Sequence, residues 1–278
     1  MQHSWEEENR LAISAVREGG RIASHSAAAL DIQTKESPRD IVTAIDIEVE
    51  RAMLDILAQS AYPALSEESV TGSVYALHED KLMWVVDPID GTANFAHGMD
   101  YFGICAGLCC GLDFLAGAVY LPRLDQLYST AGQVALLNGT PLLHRHRSFS
   151  ASLVGAGFAN AVHDAAHRAR QYELFGSVNE QTRGCLRLGS TAVNICFAAA
   201  GRLQCAYGLR AKIWDVAAAL AVAIAAGCKV IVAPSGDQFS VDYIAGSGDT
   251  ATMIHELCVD KELMIESCRV WEDGCLSS

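Results

Sequence analysis

Apolar residues recur at helical spacing near the start of the chain. Leu11, Ala15, Ile22 and Ala29 predict one amphipathic helix over Glu7–Leu30, weakened at Gly19 and Gly20. Ile41–Thr43 reads as a short strand. Ile45–Ala58 reads as a second helix with Asp46 in its first turn. Met83–Val86 is an unbroken, partly β-branched apolar run, so it predicts a buried strand. Pro88 lacks an N–H, which places the end of that strand near Asp87. From Tyr101 to Tyr128 apolar stretches alternate with short breaks at Asp113 and Pro122, an antiparallel meander, and Asn138-Gly139 is a hairpin signal.

Beyond a boundary near Pro141–Ser150 the pattern changes to strands alternating with helices. Ala151–Gly157 is a small-residue strand and Ala165–Asn179 a helix. A turn, an alanine-rich helix and a strand follow within 187–207. Next come a helix beginning at Asp215, a strand from Lys229, a strand over Phe239–Ser247 and a helix over Thr250–Cys258. The expected class is α/β, with an α+β half over 1–145 and an α/β half over 146–278.

Composition narrows the function. With 278 residues, 51% of them hydrophobic, the chain can bury a large core. A net charge of −13 and the absence of a basic stripe exclude nucleic acid as a main partner. An acidic protein that handles phosphate needs local positive charge, and metal ions are the obvious source. The ten cysteines form no CxxC pair and no zinc spacing, which reads as buried free thiols in a reducing compartment. The N-terminal MQHSWEEENR lacks a secretory pattern, and the apolar runs are too short for a membrane span. The expectation is a soluble, cytoplasmic protein without membrane association.

Candidate chemistry centres on WVVDPIDGTANF, residues 84–95. Asp87 and Asp90 lie three residues apart, followed by Gly91 and Thr92. Paired carboxylates beside free backbone N–H groups suit divalent cations holding a phosphate. An acidic turn fits the same residues equally well. Three further acidic sites stand at the ends of apolar elements. Asp46 alone reads as a capping carboxylate and Glu67-Glu68 as a solvated loop. Asp215, ahead of a helix made of Ala, Val, Leu and Ile, reads as an N-cap or as a cation ligand. The tract His144–Ser148 suits a solvated edge or linker better than a metal site.

Taken together, KESPRDIVTAID, SEES, DPIDGTANF and IWDVAAA resemble, in order and spacing, the inositol monophosphatase family. That family belongs to the lithium-sensitive, magnesium-dependent phosphatases. The resemblance runs from about Leu11 to Glu256 and implies a layered αβαβα sandwich of the sugar phosphatase type. It implies a phosphomonoesterase that hydrolyses a small polyol phosphate with a metal-activated water, two to three Mg²⁺ ions per site, and a homodimer. Glu67, Asp87 and the Ile89 carbonyl would bind one ion, and Asp87, Asp90 and Asp215 a second. Glu68 would orient a water on a third. Thr92, hydrogen-bonded to Asp46, would accept a proton from the attacking water. The N–H groups of Gly91 and Thr92 would cradle the phosphate, and Gly189, Ser190 and Thr191 would contact the leaving group.

The chain departs from this pattern at one expected substrate contact. Seven positions before Asp215, where inositol-specific members carry an acid, stands Gly208, in a loop that offers Arg210 and Lys212 instead. Those cations would meet a second negative group or lie in solvent. AAGC at 225–228 replaces the usual EAGG, with altered packing as the expected consequence. The departures leave open a different leaving group: a nucleotide 3′-phosphate, histidinol phosphate or fructose bisphosphate. A regulatory binding role on the same fold is the alternative outside enzymes.

Overall fold

The computed structural model describes residues 5–25, 32–34, 41–70, 80–142, 144, 146–158, 164–264, 268–272 and 274–276. Helix α1 (Glu6–His25) opens on three glutamates that complement its N-terminal dipole. The continuation expected to Leu30 lies outside the described residues, as does nearly all of the loop over 72–80. Gly19 and Gly20 do not break α1. A Cβ at Gly20 would lie 2.4 Å from the Tyr120 ring, so the bare backbone is what lets the helix approach its sheet.

Strands β1 (Ile32–Thr34) and β2 (Ile41–Thr43) pair antiparallel and lead into α2 (Ala44–Leu57). A first seven-stranded sheet follows, built from β3 (Ala64–Ser66), β4 (Leu82–Asp90), β5 (Gly103–Cys110), β6 (Asp113–Leu121), β7 (Gln126–Ala131), β8 (Val134–Leu137) and β9 (Thr140–Pro141), in chain order. Only β3 and β4 run parallel; the rest is the expected meander. Asn138 and Gly139 turn β8 into β9 with φ of 49° and 79°, the left-handed pair that an Asn-Gly hairpin uses.

The expected end of the central strand at Asp87 is incorrect. β4 continues to Asp90, pairing Asp87 with Cys105 and Asp90 with Gly103, with a register shift between them. That bulge takes Pro88 out of the ladder, so its missing N–H interrupts nothing. The strand therefore carries both aspartates into the protein interior. Short helix α3 (Thr92–Ala96) starts directly after Gly91.

The second sheet is ordered β11, β10, β12, β14, β13, β15, β16. Its elements are β10 (Leu153–Phe158), α4 (Ala165–Gln181), β11 (Gly184–Leu186), α5 (Thr191–Ala199), β12 (Cys205–Lys212), α6 (Ile213–Ala225), β13 (Lys229–Pro234), β14 (Ser240–Gly246), α7 (Gly248–Asp260), β15 (Arg269–Glu272) and β16 (Cys275–Leu276). The short strands β11, β15 and β16 were not anticipated.

Packing gives five layers: α1 and α2, the first sheet, α5 and α6, the second sheet, then α4 and α7. The largest apolar core lies around α5 and α6 between the sheets. Helix α6 approaches the first sheet through a pair of facing glycines. A Cβ at Gly117 would sit 2.4 Å from the Ala218 carbonyl oxygen, and one at Gly107 2.7 Å from the Ala218 nitrogen. Alanine on the helix and glycine on the strands thus bring α6 against the first sheet, β4 included. None of the ten cysteines forms a disulfide, and seven are buried. Among the described residues, no helix is long and apolar enough to cross a membrane.

Candidate active site

Three carboxylates from three separate elements converge. Oxygens of Glu67 (after β3), Asp87 (β4) and Asp215 (α6) lie within 4.8 Å of one another. Each is placed by backbone. Glu67 N–H donates to the Val86 carbonyl at 3.3 Å, extending the parallel β3–β4 pairing. Asp87 Oδ1 accepts the Ile89 N–H at 3.0 Å. Asp215 is the third residue of α6 rather than its cap, because the helix begins two residues earlier than expected. Its Oδ2 reaches back to the Lys212 N–H at 3.4 Å.

Asp90 stands beside this group but faces α5. Its carboxylate accepts the Ser190 hydroxyl, the Thr191 N–H at 3.2 Å and the Ala192 N–H at 2.7 Å. It thus ties β4 to the helix that carries the expected leaving-group contacts. The carboxyl is fully buried, and its pKa rises from 3.8 to about 6. Burial dominates, partly offset by those three hydrogen bonds. Burial also pushes Asp87 well above the ordinary carboxylate range, with Glu67, Asp90, Asp215 and Asp46 adding repulsion. Asp215 is raised by burial, then by Asp90 and Glu67. Among the described residues, Lys212 offsets this in part at Asp215. Lys212, the nearest lysine in sequence, places its ammonium on Asp237 at 2.5 Å. Hard oxygen donors crowded into a buried, mutually repelling group are the donor chemistry that suits Mg²⁺.

Thr92 adjoins the cluster. Its hydroxyl lies 2.9 Å from the Ile89 carbonyl and 3.4 Å from Asp46 Oδ1. Asp46 is buried in the first turn of α2, so it does more than cap a solvent-facing helix. Glu68 follows Glu67 in a turn, its N–H donating to Glu50 Oε2 at 2.9 Å. Gly91 and Gly189, with φ of 90° and 85°, face each other: a Cβ at Gly91 would come 3.3 Å from the Gly189 carbonyl and 3.0 Å from Ser190 Cβ. Both turns therefore need a residue without a side chain. Ser190 caps α5, its hydroxyl accepting the Val193 N–H at 3.1 Å.

The structure corrects the surroundings of Gly208. It lies within β12 rather than in a loop, and the strand bulges between Gly208 and Ala211. Arg210 sits at that bulge with φ of 56°, its N–H on Asp242 Oδ1 at 2.7 Å. Lys212 pairs with Asp237 and lies over the Trp214 ring at 5.9 Å. Gly157, Gly208 and Tyr243 form a row across three strands. A Cβ at Gly208 would lie 2.5 Å from Tyr243 Cε1.

Two residues of the site escaped sequence reasoning. Asn94 Nδ2 donates to the Tyr101 carbonyl at 2.6 Å and the Leu188 carbonyl at 2.8 Å, which joins α3 to the 188–191 turn. Nothing in its local sequence signals this. Glu50 is buried on α2 and accepts from the loop that carries Glu67 and Glu68. Its signal was a charged residue on the mainly apolar buried face of α2, next to Val49, one turn from Met53 and two turns from Leu57.

Comparison with known proteins finds relatives over most of the chain. A sequence model described as the inositol monophosphatase family matches residues 4–263. Inositol-1-monophosphatase SuhB of Mycobacterium tuberculosis is 36% identical over 210 residues, 72% of this chain and 71% of the relative. Inositol monophosphatase 1 of Bos taurus is 28% identical over 258 residues, 90% of this chain and 93% of the relative. The solved structure of Mycobacterium tuberculosis SuhB superposes with a TM-score of 0.78 at 27% identity, covering 95% of this chain and all of that one. An inositol monophosphatase from Anabaena gives a TM-score of 0.76 at 24% identity over 92% and 96% of the two chains, a likeness of fold.

Proposed function

Because the chain belongs to the inositol monophosphatase family, and is thereby a phosphoric monoester hydrolase, we propose that it hydrolyses a small polyol phosphate at the carboxylate cluster. The observation that supports this most is the convergence of Glu67, Asp87 and Asp215, with Thr92 and Asp46 beside them. Glu67, Asp87, Asp90, Asp215 and the Ile89 carbonyl would hold Mg²⁺, two or three ions in number. Such ions, when bound, supply positive charge that polarises the phosphoryl group and lowers the pKa of water. Asp90 would serve only by keeping a lone pair free of its bonds to α5.

The protein's own groups do the rest. Thr92 Oγ1 carries one proton and has two acceptors, the Ile89 carbonyl and Asp46 Oδ1. A proton arriving at Oγ1 from the attacking water lets the hydroxyl pass its own proton to Asp46. Glu68 would orient a further water toward the leaving oxygen. The N–H groups of Gly91 and Thr92 would hold phosphate oxygens, and Gly189, Ser190 and Thr191 would meet the leaving group.

Tyr243 favours a second reading of the substrate. Its ring occupies the space beside Gly208, so the site lacks a charged acceptor there, and a leaving group other than inositol fits as well. The candidates are a nucleotide 3′-phosphate, histidinol phosphate or fructose bisphosphate. Phosphate release from a panel that includes inositol monophosphate tests both readings, with Mg²⁺ and with chelator. Mg²⁺-dependent turnover of at least one ester is expected. No turnover of any ester, or turnover indifferent to chelation, would overturn the proposal. The family also suggests a homodimer in the cytoplasm, and the mass in solution by light scattering checks the first part.

A further inference from the structure

Helix α2 presents two buried carboxylates one turn apart on the same face, Asp46 and Glu50. Asp46 meets Thr92 in the segment after β4. Glu50 meets the segment after β3 with three acceptor bonds. Oε2 takes the Ser66 hydroxyl and the Glu68 N–H at 2.9 Å, and Oε1 takes the Ser69 hydroxyl. These donors flank Glu67 on both sides. The Glu67 N–H donates to the Val86 carbonyl at 3.3 Å, where the β3–β4 pairing runs out. Glu67, Glu68 and Ser69 form a turn. The position of the Glu67 carboxylate against Asp87 and Asp215 therefore depends on what holds this turn, and Glu50 holds it at three points.

We propose that Glu50 is a positioning residue. It acts through the Ser66–Ser69 segment to set the Glu67 carboxylate in the cluster, so that a divalent cation meets the donors already assembled. The carboxylate suits this task for a chemical reason: it has only acceptors, and three donors converge on it. A glutamine would turn its NH₂ toward one of those donors, and an alanine would take this acceptor from all three, leaving the Ser66 hydroxyl without it in a buried place. Repelling acids do not assemble without such a bracket, and groups that orient metal ligands typically change metal affinity 10–100-fold when removed. The proposal rests on the reading of Glu67, Asp87 and Asp215 as cation ligands.

The test is calorimetric titration of Mg²⁺ into the full-length protein, stripped with chelator, alongside melting of the metal-free form. Glu50→Ala is expected to weaken Mg²⁺ binding about 10–100-fold, and Glu50→Gln to lie between it and the wild type. The turnover number at saturating Mg²⁺ should fall far less than the affinity. A residue that only stabilised the fold would lower the melting temperature and leave the affinity of the folded protein unchanged. That outcome overturns the proposal. If Glu50→Ala does not fold, Glu50→Gln and the double variant Ser66→Ala, Ser69→Ala decide by the same titration. Asp87→Asn serves as control. If it loses Mg²⁺ binding while the Glu50 variants keep theirs, the positioning role alone falls. If Asp87→Asn binds Mg²⁺ normally, the cation site is misassigned and both readings fall.

Discussion

Substitution of Gly208 separates what spacing suggests from what packing allows. Spacing suggests that Gly208→Glu would restore an acid for a vicinal diol and raise kcat/KM for inositol phosphate. The structure reverses that expectation. Any Cβ at position 208 would lie 2.5 Å from Tyr243 Cε1 and 3.1 Å from its Cζ and hydroxyl oxygen. Contacts under 3.0 Å force movement, and Tyr243 has no room to give, being fully buried over Gly208 and Gly157. Overpacking of this kind costs about 1–3 kcal/mol. For a chain of this size that lowers Tm by on the order of 2–10 °C in Gly208→Ala. Gly208→Glu adds a buried, unpaired carboxylate and should lose far more. Its activity should drop on every ester alike, without a gain for inositol phosphate. The assay is thermal melting together with kcat/KM across the phosphomonoester panel, repeated in a Tyr243→Ala background. There the cost of Gly208→Ala should vanish, a coupling of at least about 1 kcal/mol. A neutral Gly208→Ala, an equal cost in both backgrounds, or a selective gain for inositol phosphate in Gly208→Glu would refute the reasoning.

The acid cluster sets the pH dependence of the metal-free protein. Asp90 is raised on folding, so the native state binds its proton more tightly, and stability is lost as pH climbs from 3.8 through about 6. At about 1.36 kcal/mol per pH unit this rise amounts to about 3 kcal/mol, and Asp87 and Asp215 act in the same direction. In chelator, melting scans of wild type and Asp90→Asn should therefore diverge between pH 4 and 7, with the wild type falling more; parallel curves would remove the argument. Lithium at millimolar concentration should depress phosphate release while equimolar potassium does not, and equal rates in both salts would count against the cation chemistry of the family.

The legible parts of this protein were those set by local rules. Asn138-Gly139 prescribes its own turn, and Ile41–Thr43, α2 and the meander follow from periods of two and 3.6. The site was legible only collectively. Asp46, Glu67 and Asp215 each had a sufficient local explanation, and it took four blocks in order to make them one cluster. What stayed hidden depends on partners distant in sequence. Pro88 ends a strand under the ladder rule, but β5 permits a bulge, and the strand carries Asp90 inward to α5. Gly208 reads as a missing acid until Tyr243, thirty-five positions later, is seen to need the space. Gly19 and Gly20 read as weak points of α1, yet both, like Gly107 and Gly117 in the first sheet, are places where another element comes too close for a Cβ. Glu50 was a charged residue on a mainly apolar helix face, and its donors at Ser66, Glu68 and Ser69 are supplied only by the fold. In each case the sequence shows a violated local rule, and the distant partner supplies the reason. A buried charge or a glycine inside a regular element is therefore where a three-dimensional explanation should be sought first.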